Sequence, residues 1–331
     1  MRSIFVAAVL VMFAVPASAQ IIESVGSRAL GMGGAFVAVA SDSSATWWNP
    51  AGLASGPFSD VSAGRAVTDL KETIPARRDR VSWFTATVPS VGFSYYRFRI
   101  TDIRGFGATG QDAVDRQDTR AEASLRSISV TDLGVTVLQS ILPGVHAGVT
   151  AKYVRGTVRT GTGSSAADAG QLLDQGEDLE GGDAESRFDL DAGLMGVAGP
   201  IRIGAVMRNI REPKFANEEF TLPRQARVGI AVDPEKVGGP PVVLALDADV
   251  RTYSTATGER RVIAIGAEQW LWSKRIGVRG GGRFNRVGLK ERAATFGASI
   301  GIRNGLYVEG QTIRGGSDAE RGWGVSTRVT F

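Results

Sequence analysis

Beyond residue 58 the chain alternates apolar and polar positions at period two, and turn signals break the alternation repeatedly. In the last segment, Trp323, Val325, Thr327, Val329 and Phe331 share one face, while Gly324, Ser326, Arg328 and Thr330 share the other. One face suits lipid and the other suits water, as in a transmembrane barrel strand. The same reading predicts strands at 59–67, 81–88, 91–99, 121–138, 145–158, 187–197, 201–210, 223–232, 241–253, 261–271, 274–284, 291–302, 305–314 and 321–331. Those fourteen segments make the even number that bacterial barrels use. The overlong 121–138 segment implies a bend or an extension beyond the membrane. The expected fold is therefore all-β, a 14-stranded antiparallel transmembrane β-barrel over residues 59–331.

The connections carry a second signal. Those after even-numbered segments are mostly tight: Pro89-Ser90, Leu142-Pro143-Gly144, Gly199-Pro200, Trp272-Ser273 and Arg303-Asn304, with Pro234 to Pro240 longer. Those after odd-numbered segments, such as Asp102–Arg120, Thr160–Ser186 and Arg211–Leu222, are longer and more polar. Short turns at one end and long loops at the other is the asymmetry of an outer-membrane barrel, which puts both termini in the periplasm. An Arg facing lipid at mid-depth costs ~2–4 kcal/mol, so charged strand positions are expected to line the lumen. This assigns Arg202, Arg208, Asp247, Asp249, Arg251, Arg279, Arg283 and Arg328 to the interior. Trp83, Tyr95, Tyr153, Tyr253, Trp270, Trp272 and Trp323 fall near strand ends, where aromatic girdles meet headgroups.

The N-terminus changes the picture of where the barrel begins. Arg2, the apolar run Ile4–Val15 and Ala17-Ser18-Ala19 have the form of a secretory signal peptide covering 1–19, cleaved after Ala19. No later run approaches the length of a spanning helix. Residues 20–58 are left as a separate segment, rich in Gly and Ala and not alternating, that fits a lumenal plug or hatch. The chain has no cysteine, which excludes thiol catalysis and disulfides, and its net charge of +4 is too slight to argue for nucleic acid.

Candidate chemistry is sparse. Gly31-Met32-Gly33-Gly34 lacks the Gly-Lys-Ser/Thr and βαβ context of a nucleotide site. His146 is the only histidine, so no zinc site is expected, and it reads as a polar residue beside a turn. The pairs Asp189/Asp191 and Asp247/Asp249 read as charge-balanced lumen lining opposite arginines. No nucleophile–base set is recognisable, so neither an enzyme, a cofactor nor a metal is expected. Residues 160–186 have the composition of a mobile surface loop, and Arg77-Arg78-Asp79-Arg80 fits either contact with lipopolysaccharide or a hydrated loop.

Two sequence blocks carry a family resemblance: R-x-L-G-M-G-G-A-F-V-A-V-A at 28–40 and D-x-x-A-x-x-W-N-P-A-G at 42–52. They resemble the FadL-like superfamily of outer-membrane barrels, which includes fatty-acid and aromatic-hydrocarbon transporters and PorV/PorQ-type proteins. The resemblance implies a barrel plugged by an N-terminal hatch, with Arg28, Gly31, Gly33, Gly34, Phe36, Asp42, Trp48, Asn49 and Pro50 as the hatch motif. The terminal strand, with Trp323, Val325, Val329 and Phe331, resembles the C-terminal signal read by the barrel-assembly machinery. The expected function is passive uptake of hydrophobic or amphiphilic small molecules, gated by the hatch, with Phe98, Ile100 and Phe106 as pocket candidates. The expected surroundings are outer-membrane lipid and lipopolysaccharide. The alternative is a PorV/PorQ-like structural or secretion accessory, because Trp47-Trp48 before Asn49-Pro50 is closer to that branch and the chain is shorter than the fatty-acid transporters.

Overall fold

The computed structural model describes residues 18–19, 25–70, 76–107, 122–164, 167–216, 220–255, 258–288, 290–316 and 320–331. Fourteen strands close into one antiparallel barrel, each hydrogen-bonded to its sequence neighbours and the last to the first. They are β1 (Asp60–Leu70), β2 (Arg77–Val88), β3 (Val91–Gly107), β4 (Glu122–Leu142), β5 (Val145–Ser164), β6 (Ala184–Ala198) and β7 (Ile201–Arg208). The circuit continues with β8 (Gln225–Val232), β9 (Val242–Asp249), β10 (Val262–Leu271), β11 (Ile276–Asn285), β12 (Arg292–Arg303), β13 (Leu306–Gly315) and β14 (Glu320–Thr330). β14 lies against β1 with Thr330 opposite Asp60 and Glu320 opposite Leu70, so the closure runs the full length of both strands.

The period-two pattern becomes an inside and an outside. Phe93, Leu133, Val135, Leu194, Ile203, Leu244, Ile265, Phe296, Ile300, Trp323 and Val325 are exposed on the outer face, while the interior carries the buried polar residues. A soluble protein buries such chains, and a surface this apolar fits hydrocarbon. No helix among the described residues is long and apolar enough to cross a membrane. Of the residues expected in an aromatic girdle, Tyr153, Trp272 and Trp323 are exposed. Trp83, Tyr253 and Trp270 turn inward instead: Trp83 donates to Ser62 Oγ, the Tyr253 hydroxyl meets the Ala226 backbone, and Trp270 lies under Arg279. Nearness to a strand end does not tell which face a residue takes.

The wall is uneven. β7 and β8 have 8 residues each, whereas β4 has 21 and β5 has 20, roughly twice the 9–11 that cross a bilayer. The overlong fourth segment is thus longer than its pattern suggests and extends beyond the membrane without breaking. The region 160–186 is not a bare loop. β5 runs to Ser164, and a helix, α1 (Ala169–Glu177), opens on a capping box between Asp168 and Gln171. The helix buries Leu172 and Leu173 against Ala76, Ile103, Ala123 and Leu125. Arg78 pairs with Asp174 at 2.6 Å and Glu177 at 3.4 Å, and Arg80 pairs with Glu177 at 2.7 Å. The basic run at 77–80 therefore belongs to β2 and clamps this helix rather than forming a free loop. Arg251 is a second correction. β9 ends at Asp249, and Arg251 lies outside the lumen at the rim, half exposed, donating to the Arg224 carbonyl and paired with Glu212.

Phe331 donates its amide to the Ser59 carbonyl at the short-connection end. The described residues Ser18–Ala19 pair in parallel with Phe220–Thr221, in the connection between β7 and β8 at the opposite end. Nothing in the barrel pattern signals this, because the pairing is made by a segment outside it.

Candidate functional site

Residues 25–56 fill the lumen as a compact plug. It consists of two short helices, α2 (Ser27–Gly31) and α3 (Ala45–Trp48), and a 3-10 turn at Pro50–Ser55. Nearly every residue from Val25 to Gly52 is buried. Short helices form here because Gly33 and Gly34 leave the first in left-handed conformation (φ 70° and 83°) and Pro50 cannot continue the second.

The first half of the hatch is fastened by charge. Arg28 donates bidentately to Glu268 on β10, at 2.8 Å and 2.5 Å, and from Nη1 to Asp42 at 3.3 Å. Burial opposes the Arg28 charge, but Glu268, then Asp42 and Glu309, outweigh it and hold the pKa above its ordinary value. Glu268 also accepts from Arg279 Nε at 2.7 Å, and Arg279 Nη1 reaches Ser299 Oγ at 2.7 Å. Ser299 donates to Glu309, which accepts from Arg328 Nε at 3.2 Å; Arg328 lies 3.5 Å from Asp60. Asp60 in turn accepts the backbone amide of Ser43 at 2.8 Å. This chain of partners leaves the hatch at Arg28, crosses β10, β11, β12, β13, β14 and β1, and re-enters the hatch at Ser43.

Backbone groups complete that half. The amides of Phe36 and Val37 both donate to Asp247 Oδ2, at 2.7 Å and 2.8 Å. Thr295 donates to the Gly31 carbonyl at 2.9 Å, and Gly31 lies against Gly297. A Cβ on Gly33 would stand 2.7 Å from the Gly282 amide nitrogen, so only glycine lets the hatch touch the wall there.

The second half is held by aromatic packing and one amide. Trp47 packs on Tyr96 and Phe98, both with centroids 5.1 Å away, and Arg208 lies over Trp47 and Trp48 at 5.1 Å and 5.6 Å. Thr46 Oγ1 meets the Tyr96 hydroxyl at 2.7 Å. Asn49, fully buried, donates from Nδ2 to the carbonyls of Val37 (2.9 Å) and Leu194 on β6 (3.0 Å), and its Oδ1 accepts from the Ala51 amide. Pro50 rests on Gly148 and Gly193, where a Cβ would collide with it. Trp48 Nε1 ties back to the Val25 carbonyl at 2.9 Å.

Above the plug lies a cluster of apolar side chains. Phe98, Ile100, Val130, Val154, Phe215, Phe220 and Leu222 are buried there, the last three supplied by the connection between β7 and β8. A cavity of about 10 Å³, room for a single water, remains between Trp47, Phe98, Val130, Asp132, Arg208 and Leu222. Beside it Lys152 is ringed by Asp191 (2.8 Å), Asp189 (2.9 Å) and Asp132 (3.8 Å).

Every residue of the expected hatch motif lies in the plug, and the assigned lumen residues face inward except Arg251. Arg202 pairs with Asp233 at the short-connection end at 3.0 Å, Asp249 pairs with Arg227 at 2.8 Å, and Arg283 pairs with Glu320. Phe98 and Ile100 face the lumen; the side chain of Phe106 lies outside the described residues. The carboxylate pair Asp189/Asp191 answers a lysine, not the arginines expected. Sequence reasoning missed Glu268 and Asp60, which bind the plug, and Glu309, which links them through the wall. Alternation alone puts Glu268 on the face of Val262, Ala264 and Gly266, a legible sign of an inward carboxylate. Its partner lies 240 residues away.

A family model described as "F plasmid transfer operon, TraF, protein" matches residues 47–249, more than half of the chain. The chain belongs to this family. No curated protein sequence matches it. Among solved structures it is similar to the toluene transporter TodX of Pseudomonas putida, at 14% identity and TM-score 0.56 over 93% of this chain and 96% of that one. It is similar also to the CymD monoaromatic hydrocarbon channel, at 12% identity and TM-score 0.63 over 93% and 98%. A FadL homologue of Pseudomonas aeruginosa matches at 8% identity and TM-score 0.62 over 94% and 99%. The fold is thus that of the FadL-type barrels which the motifs at 28–40 and 42–52 resemble, while the family model that matches carries another description.

Proposed function

We propose that this protein is an outer-membrane barrel through which hydrophobic or amphiphilic small molecules pass, closed at rest by the hatch of residues 25–56. The long connections face outward and the short turns face the periplasm, after removal of residues 1–19. The observation that carries this reading is the cluster of apolar side chains packed above the plug. A general porin lines its lumen with polar groups and water, whereas here Trp47, Tyr96, Phe98, Val130, Phe215, Phe220 and Leu222 form an apolar cluster beside the buried charges. Such a lining favours apolar cargo over ions by ordinary transfer energetics. Cargo would enter between the connections, displace Phe215, Phe220 and Leu222, and reach a plug that must shift before release. The hydrocarbon channels with this fold support the same cargo class.

The test removes the gate. Deleting residues 24–50 should leave a barrel that still migrates as a folded species in unheated gels, while liposome permeability to an apolar dye rises. A folded deletion variant with wild-type permeability would sink the gating idea.

A second reading has its own support. The cavity between Trp47, Phe98 and Leu222 has room for only about one water, and the outer end carries the ordered helix α1. The family description names a plasmid transfer operon. These favour a barrel that works as a membrane-anchored accessory whose outer surface binds protein partners. Native mass spectrometry separates the two readings: a retained apolar small molecule supports transport, and a stoichiometric protein partner supports the accessory role.

A further inference from the structure

The outer wall over β9–β13 is not evenly filled. Two cross-strand rows point outward there: Leu246–Ile265–Gly282–Ala294–Arg314, and Leu244–Ala267–Gly280–Phe296–Thr312. Gly280, Gly282, Ala267 and Ala294 have little or no side chain, so the rows sink between Leu244, Ile265 and Phe284. The result is a concavity of about 850 Å³ on the lipid-facing side, within the roughly 300–1,000 Å³ range of ligand clefts. It is separate from the lumen, since the ladders beneath it are unbroken.

The groove is polar at one end only. Arg292 and Arg314 line it where the strands meet the long connections, and both are exposed. The adjoining rim exposes Arg261, Arg286 and Lys290 against Glu259 and Glu291. An apolar trough ending in a cationic rim complements an acyl chain ending in an anionic headgroup. Guanidinium groups grip phosphate bidentately, and cations at membrane interfaces recognise anionic lipid.

We propose that this groove binds an acyl chain of a phosphate-bearing lipid of the outer leaflet, with the phosphate on Arg292 and Arg314. This rests on the outward orientation of the long connections and is independent of what passes through the lumen. Bulk lipid would coat any apolar face; the fixed trough and the paired arginines make this position selective.

The test uses the full chain in mild detergent, titrated with diphosphoryl lipid A or with phosphatidylcholine and read by native mass spectrometry. The wild type should hold lipid A at about tenfold lower concentration than phosphatidylcholine, a preference that charge-assisted hydrogen bonds supply. Gly280→Leu fills the trough. A Cβ at Gly280 meets nothing within 4 Å, so the barrel tolerates the change. That variant should lose retention of both lipids, while Arg292→Ser with Arg314→Ser should lose only the preference for lipid A. Heat-shifted gel mobility checks that each variant is folded. Equal binding of the two lipids by the wild type, unchanged retention in folded Gly280→Leu, or a dimer abolished by Gly280→Leu would each overturn the proposal. Hatch deletion reads permeability and not adducts, so failure here and failure of the transport reading are distinguishable.

Discussion

The two halves of the hatch are held by different physics. Residues 25–40 meet β9–β14 through buried charges and backbone amides, centred on Arg28–Glu268 and Asp247. Residues 41–56 meet β1–β7 chiefly through the aromatic cluster of Trp47, Tyr96 and Phe98 and through Asn49. A buried ion pair is strong only while both partners stay in place, because removing one strands the other in low dielectric. Aromatic packing falls off with lost area but leaves no uncompensated charge. Under the gating proposed above, the charged half would let go as a unit and the aromatic half would stay.

That contrast can be broken by experiment. Glu268→Ala removes the carboxylate shared by two buried arginines, Arg28 and Arg279, and should cost ~3–5 kcal/mol. Its signature is a lowered thermal midpoint together with raised conductance in planar bilayers, as residues 25–40 leave the wall. Trp47→Ala should cost a similar ~3–5 kcal/mol in packing, yet leave conductance at the wild-type level because the charged fastening remains. Equal conductance of these two variants would erase the distinction. Asn49→Ala strands the Val37 and Leu194 carbonyls and should cost about 1–3 kcal/mol for each. Faster proteolysis of the hatch is the readout, since this side chain ties the plug to β6. Arg251→Ala is the smallest change, within about 0.5 kcal/mol and silent in conductance. A measurable conductance shift in that variant would restore Arg251 to the lumen.

Much of the fold was legible because each strand records its own surroundings. Leu244, Leu246 and Ile265 alternate with Ala245, Asp247 and Gly266 wherever one face meets lipid and the other the plug. The reading failed where that rule stops applying. Val250 continues the apolar alternation past the end of β9 and carried Arg251 with it into the lumen. Gly-, Ser- and Asp-rich residues before Gln171 hid a helix whose stability comes from Leu172 and Leu173 packing on strands far away in sequence. Trp83 and Trp270 look like girdle residues by position, but a polar partner at Ser62 and a cation at Arg279 draw them inward.

Within the candidate site, the hatch motif was readable as composition. Glycines, Asn49 and Pro50 announce a tight, non-alternating segment whatever it packs against. The fastening was not readable. Glu268, Glu309 and Asp60 are ordinary inward acids until closure of the barrel brings β10, β13 and β1 around Arg28 and Ser43.

Local chemistry along the chain determined the number of strands, their facing and the presence of a plug, since periodicity and backbone restriction act over a few residues. Tertiary structure decided which charge meets which, which aromatic side chains pack on the hatch, and where small outward residues on neighbouring strands line up into a trough. Those outcomes depend on register and on contacts between residues hundreds of positions apart, which no local pattern encodes.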